Sequence, residues 1–247
     1  MLSNKLCVIA DSWLNIKRLA PNLVKDELVI YPHNSDNIPV ENLSTGSLTW
    51  DRLLKDETTI KRWAQAYPAV TLLHIGGVEL ATGQLLEGAE DTPIGRYVSE
   101  TIENNIVALN SKAKSYQEKD LSELWEKKRV IVLVAIPNWQ TFKGHSNSLP
   151  SDQVKILRRK INHQLTRLSV TLWKVHKTIL VKPHLDRPRI IGVHLHHKDQ
   201  WLYNNQILEV VKKVICKNCK LQDYETKKNL MNLRIKECPR QCANNKE

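Results

Sequence analysis

Five short apolar runs rich in β-branched residues punctuate the chain: Leu6 to Ala10, Leu28 to Tyr31, Val70 to Ile75, Val130 to Ile136 and Thr178 to Val181. Each is apolar at consecutive positions and too short for a helix, the pattern of a strand buried on both faces of a parallel sheet. Helical periodicity fills the intervals, over Thr58 to Tyr67, Gly95 to Lys112, Asp152 to about Val170 and Trp201 to Cys216. Ser151, following Pro150, can cap the third of these helices. Strands alternating with helices predict an α/β fold, a doubly wound parallel sheet that binds ligands at the carboxyl ends of its strands. Pro32 to Gly46 and Trp139 to Pro150 read as polar loops, the second crossing that carboxyl edge. Residues 1–215 form the expected domain, and 216–247 a basic, cysteine-containing tail.

Composition narrows the class. With 247 residues, 41% hydrophobic and 26% charged, the chain can bury a globular core, and wholesale disorder is excluded. It has no run of eighteen apolar residues, and Asp11 interrupts the first apolar run before a signal core could form. A cytoplasmic location is therefore expected. The formal charge of +11 is unevenly placed: residues 1–150 carry 16 Lys/Arg against 18 Asp/Glu, and residues 151–247 carry 21 against 8. Positive charge confined to one stretch of sequence suits a polyanion, with nucleic acid first, and an acidic membrane surface or an acidic protein after it.

Within the basic stretch, Val154, Leu157, Ile161, Leu165 and Leu168 recur at helical spacing as a core-facing stripe. Lys155, Arg158, Arg159, Lys160 and Arg167 are expected on the other faces, where arginine can pair with phosphate. Lys174, Lys177, Arg187 and Arg189 flank the next strand, and Lys212 and Lys213 end the last helix. The tail adds Lys217, Lys220, Arg234, Lys236 and Arg240, while Lys17 and Arg18 follow the first strand. No finger or helix-turn-helix module for reading duplex DNA is recognisable. Single-stranded or folded RNA, held by backbone charge and base stacking, fits better, with Trp139, Trp173, Trp201 and Tyr203 as stacking candidates.

The first strand ends in Ala10-Asp11-Ser12, which sets a serine where a strand hands over to a helix. Backbone N–H groups at such a turn can hold an oxyanion. Near the other end of the chain, Gly192-Val193-His194-Leu195 offers a base at the expected opening of the last helix. This arrangement resembles the SGNH (GDSL) hydrolase superfamily, which implies a flavodoxin-like α/β/α sandwich over most of residues 4–215. By that resemblance Ser12 occupies the nucleophile position, Gly46 the oxyanion glycine, Val78 the oxyanion asparagine, Ile191 the acid and His194 the base. Neither the Val78 nor the Ile191 side chain carries a hydrogen-bonding group. A disabled triad carboxylate costs about 10⁴ in turnover and a lost oxyanion donor about 10²–10³. A non-catalytic domain is therefore expected, with an acyl-ester hydrolase using Ser12 and His194 as the alternative. An SGNH-like domain with lost catalytic groups and a basic C-terminal half is similar to the OSK-type domains of insect germ-plasm organisers. That similarity implies mRNA binding, germ-granule proteins as partners and no esterase activity.

Four of the five cysteines fall late in the chain, as Cys216-x₂-Cys219 and Cys238-x₃-Cys242. The spacing approaches that of a zinc ribbon, so a structural zinc is possible there, against four unligated thiols in the tail. Cys7 lies inside the first apolar run and reads as core. No other cofactor is expected.

Overall fold

The computed structural model describes residues 3–11, 14, 23–24, 27–28, 38–82, 94–137, 151–186, 188–191 and 194–215. Its elements, in chain order, begin with β1 (Ser3–Ala10), β2 (Leu23–Val24), β3 (Glu27–Leu28), β4 (Ile38–Asn42), α1 (Trp50–Lys55) and α2 (Glu57–Ala66). They continue with β5 (Pro68–His74), α3 (Gly77–Thr82), α4 (Ile94–Lys114), α5 (Lys119–Lys128), β6 (Val130–Val134) and α6 (Ser151–His176). The last are β7 (Thr178–Val181), β8 (Ile190–Ile191), β9 (His194–Leu195) and α7 (His197–Ile215).

Strand order in the main sheet is β2-β3-β4-β1-β5-β6-β7. Strands β4, β1, β5, β6 and β7 run parallel, while β2 and β3 extend the β4 edge in antiparallel register. Numbered by their order in the chain, the five parallel strands lie 2-1-3-4-5, the flavodoxin-like arrangement. Alternation along the strands divides the core in two. Cys7, Ile9, Leu73, Ile131, Leu133 and Leu180 face one cluster, built with residues of α1, α2, α4, α5 and α6. Leu6, Val8, Leu72, Val132 and Val181 face the other, against Tyr203, Ile207 and Val211 of α7.

Helix α2 shows how local chemistry sets the boundaries. Its N-cap Asp56 accepts from the Thr59 N–H at 3.0 Å and from the Thr59 hydroxyl at 2.7 Å. The helix ends where Tyr67 turns left-handed, at φ 43°. Trp63 from α2 and Trp125 from α5 meet edge to face at 5.0 Å. Both indoles are satisfied: Trp63 Nε1 donates to Thr71 Oγ1 and Trp125 Nε1 to the Pro68 carbonyl, each at 2.8 Å.

The parallel neighbour of β1 on one side is β4, inside the stretch expected to be a polar loop, and not a strand at Leu28–Tyr31. Ile-Pro-Val-Glu-Asn has too few apolar residues to read as a buried strand, and its outer edge pairs antiparallel with β3, Glu27 opposite Pro39. Residues 29–31 and the loop 139–150 lie outside the described residues. Helix α6 runs past Val170 to His176, because Leu172 continues its buried stripe and the left-handed turn comes only at Lys177, φ 51°. The last helix begins at His197, so His194 lies in a two-stranded hairpin ahead of it.

Candidate functional site

The carboxyl ends of β1, β4 and β5 converge on the position the sequence marks. Backbone bonds pin them together: Asp11 N–H donates to the His74 carbonyl at 3.1 Å, Leu43 N–H to Val8 at 2.8 Å and Thr45 N–H to Ala10 at 3.0 Å. Asp11 and His74 are buried to 2% and 3% exposure. Asp11 Oδ1 lies 3.0 Å from His74 Nδ1, and His74 Nε2 lies 2.7 Å from the hydroxyl of fully buried Tyr203. Burial, and then the Asp11 charge, push the Tyr203 phenol well above its ordinary range. It therefore stays neutral, with its hydroxyl hydrogen-bonded to Nε2 on one side of the ring while Asp11 faces Nδ1 on the other. This carboxylate–imidazole–phenol chain crosses the sheet from β1 through β5 to α7. It was not anticipated, although a histidine closing an apolar strand was the signal for it.

Ser12 itself lies outside the described residues. Gly46 sits in an exposed turn whose carbonyl, with that of Ser47, accepts from Arg52 Nη1 at 3.2 and 2.9 Å. Val78 stands half-buried in the first turn of α3, just beyond Gly76, whose φ is 109°. Beside it, buried Glu79 accepts from the Trp50 N–H, and burial pushes its carboxyl up. His194 is half-buried in β9, with Ile191 as its cross-strand partner in β8. The position that would carry the acid thus stands directly across from the base and is an isoleucine. Asp199, the nearest carboxylate in sequence after His194, accepts from the Arg189 backbone N–H at 2.8 Å and from Arg189 Nε at 3.2 Å.

The basic residues separate into two groups. Lys155, Arg159, Lys160, Arg167 and Lys174 are exposed along α6 and take no ion pair among the described residues. They share one face, nineteen positions long, or about 28 Å at the helical rise. The others are engaged or covered. Arg189 is bound to Asp199, Lys212 pairs with Glu209 at 3.4 Å, and Lys177 lies over the Trp173 ring at 5.6 Å. Lys213 is half-buried. Arg158, expected on the exposed flank, is only 4% exposed. Three residues from Ile161 and four from Val154, it falls inside the arc that faces the core. Tyr203, expected to stack bases, is wholly buried, while Trp201 is 43% exposed. Lys17, Arg18, Arg187, Lys217, Lys220, Arg234, Lys236 and Arg240 lie outside the described residues, as do Cys216, Cys219, Cys238 and Cys242.

No protein-family model and no curated protein sequence matches the chain. Among solved structures, the psychrotrophic esterase EstA from Pseudoalteromonas sp. matches with a TM-score of 0.51 and 14% identity, over 85% of this chain and 98% of EstA. TesA matches with a TM-score of 0.48 and 16% identity, over 85% and 99%. A family 3 carbohydrate esterase from Clostridium thermocellum matches with 0.44 and 15%, over 84% and 94%. At such identities the likeness concerns the fold: a parallel five-stranded sheet flanked by helices, of the SGNH hydrolase type.

Proposed function

We propose that this chain is a non-catalytic SGNH-like domain that binds single-stranded RNA along the exposed face of α6. The observation that carries the reading is the row Lys155, Arg159, Lys160, Arg167 and Lys174, on a helix of 26 residues whose single acidic residue is Asp152. Five phosphate contacts on a single strand imply a slope of about −3.5 in log K against log salt, roughly a 10²-fold loss of affinity for a fourfold rise in salt. Fluorescence anisotropy of a labelled oligoribonucleotide at several salt concentrations measures that slope. The double variant R159E/R167E should flatten it by more than one unit. Binding that is absent, or insensitive to salt, would remove the proposal. The granule setting implied by the OSK-type resemblance belongs to the same proposal and depends on it.

A second reading, an acyl-ester hydrolase using Ser12 and His194, has the comparison on its side, because EstA is an esterase with the same fold. Against it stand Val78 and Ile191, which offer no donor to an oxyanion and no acceptor to an imidazole. A fluorophosphonate probe separates the readings. Stoichiometric labelling that disappears in S12A would establish the hydrolase, and no labelling at millimolar probe would leave the non-catalytic reading standing.

A further inference from the structure

We infer that the first two turns of α7 carry a base-stacking site, in which the exposed indole of Trp201 holds an unpaired nucleobase and Lys198 its phosphate. The inference rests on the RNA-binding reading and adds to it the group that grips a base. Tryptophan has a large apolar area to bury, and elsewhere this protein uses it that way. Trp50, Trp63 and Trp125 are buried, and the last two have their indole N–H groups bonded. Trp201 stands out in solvent, and its indole makes no hydrogen bond or ring contact among the described residues.

The neighbours of the indole decide what it can receive. On a helix, positions 197, 198, 201 and 202 fall within one arc of about 140°. His197, Lys198, Trp201 and Leu202 are all exposed. Lys198 takes no ion pair among the described residues. The single carboxylate of the first turn, Asp199, falls outside that arc and is bound to Arg189. His197 extends the flat surface, its ring 4.0 Å from that of His196 and tilted by 40°. An aromatic face edged by a cation matches a π system joined to phosphate. An apolar protein surface would match Trp201 and Leu202 but would desolvate Lys198 without a counter-charge. Placement ties this face to the α6 row. Tyr203 reaches His74 at the end of β5, which fixes the first turns of α7 at the carboxyl edge of the sheet. Asn162 of α6 donates to the carbonyl of Ile136, just past the end of β6, so Lys155, Arg159 and Lys160 lie toward that same edge. The two helices cover opposite faces of the sheet, and a strand that follows the α6 cations over the edge arrives at Trp201.

Fluorescence anisotropy with a labelled single-stranded RNA tests the site on the full chain, comparing wild type, W201L and W201F at several salt concentrations. W201L keeps an apolar side chain and removes the aromatic face. It should weaken binding about 5- to 150-fold, the worth of one stacked base. The slope of log K against log salt should not change, because stacking displaces no counterion. W201F keeps an aromatic face and should retain most of the affinity. An abasic sugar–phosphate oligomer of the same length should bind wild type and W201L alike. RNA binding by W201L equal to wild type, or a loss that persists on the abasic oligomer, would overturn the stacking site and leave the α6 reading in place. Failure of the wild type to bind RNA would remove both. Tm should stay at the wild-type value in both variants, since Trp201 is exposed. A fall in both would make Trp201 a structural residue and refute the site.

Discussion

Replacing Tyr203 with phenylalanine removes one oxygen from the middle of the protein and almost nothing else. The ring is wholly buried against α7's own sheet face, and phenylalanine keeps its volume, so the 3–5 kcal/mol lost when an aromatic is truncated to alanine does not arise. What goes is the 2.7 Å contact with His74 Nε2, leaving a buried ring nitrogen without that partner, at a cost of about 1–3 kcal/mol. For a chain of this size that lowers Tm by about 3–9 °C. Urea unfolding followed by the fluorescence of buried Trp63 and Trp125 should show a lower midpoint with an unchanged m-value. A double-mutant cycle extends the test along the chain of polar groups. Asp11→Asn changes the group 3.0 Å from the other imidazole nitrogen. If one tautomer of His74 links the two partners, the double variant should lose less than the sum of the singles, by about 0.5–3 kcal/mol. A loss below 0.5 kcal/mol for Y203F, or strict additivity with D11N, would refute the linkage from β1 to α7.

Three further outcomes follow from local geometry. Asp56→Ala should cost about 1 kcal/mol as a lost helix cap. The two donors of Thr59 hold the Asp56 carboxyl below its ordinary range. Its stabilisation is thus complete above the unfolded value of about 4 and vanishes as pH falls through the lower folded value. The gap between wild type and D56A in urea midpoint should close in acid, and a gap constant from pH 7 to pH 2.5 would contradict this. Gly76→Ala should destabilise by about 1–3 kcal/mol, because φ of 109° suits only glycine although a Cβ there would make ordinary contact with Ile136. Gly46→Ala, with nothing within 4 Å and no unusual φ, should be neutral, and calorimetry of the two variants compares them directly. Burial pushes the Cys7 thiol well up. A brief native-state iodoacetamide pulse read by peptide mass spectrometry should leave it unmodified, and rapid labelling would contradict its place in the core.

Much of the fold was legible because its strands are buried on both faces. Val70 to His74 and Val130 to Val134 are apolar at nearly every position, and they stand where continuous apolar runs predict strands. Strand β4 escaped because it sits near the sheet's edge, where Pro39, Glu41 and Asn42 are tolerated and the apolar run disappears. Helix α5 escaped because its charged residues mask a buried face reduced to Ser122 and Trp125. Positions 46, 78, 191 and 194 were marked by the SGNH resemblance alone. His74 and Tyr203, 129 positions apart, could not be paired from the sequence, since only the sheet and α7 packing bring them together. Arg158 was misjudged for a related reason. A charge count along a helix assigns cations to the solvent side, whereas the helical angle places this one among Val154, Leu157 and Ile161.

The separation of scaffold from chemistry has a physical basis here. Neither core cluster includes Val78 or His194. Those positions lie at element ends, in the first turn of α3 and in a two-residue strand, where a side chain can change without opening a cavity in the sheet. Side chains at those two positions can therefore vary while stability, carried by Leu72, Val132, Trp63 and their neighbours, stays intact. The Asp11–His74–Tyr203 chain is different: it lies inside the core, with Asp11 Oδ1 3.0 Å from one imidazole nitrogen and the Tyr203 hydroxyl 2.7 Å from the other. The exposed cations of α6 have no such place, because none of them packs in the core or forms an ion pair among the described residues. Stability does not account for that row, and it is the observation on which the proposed RNA-binding reading rests.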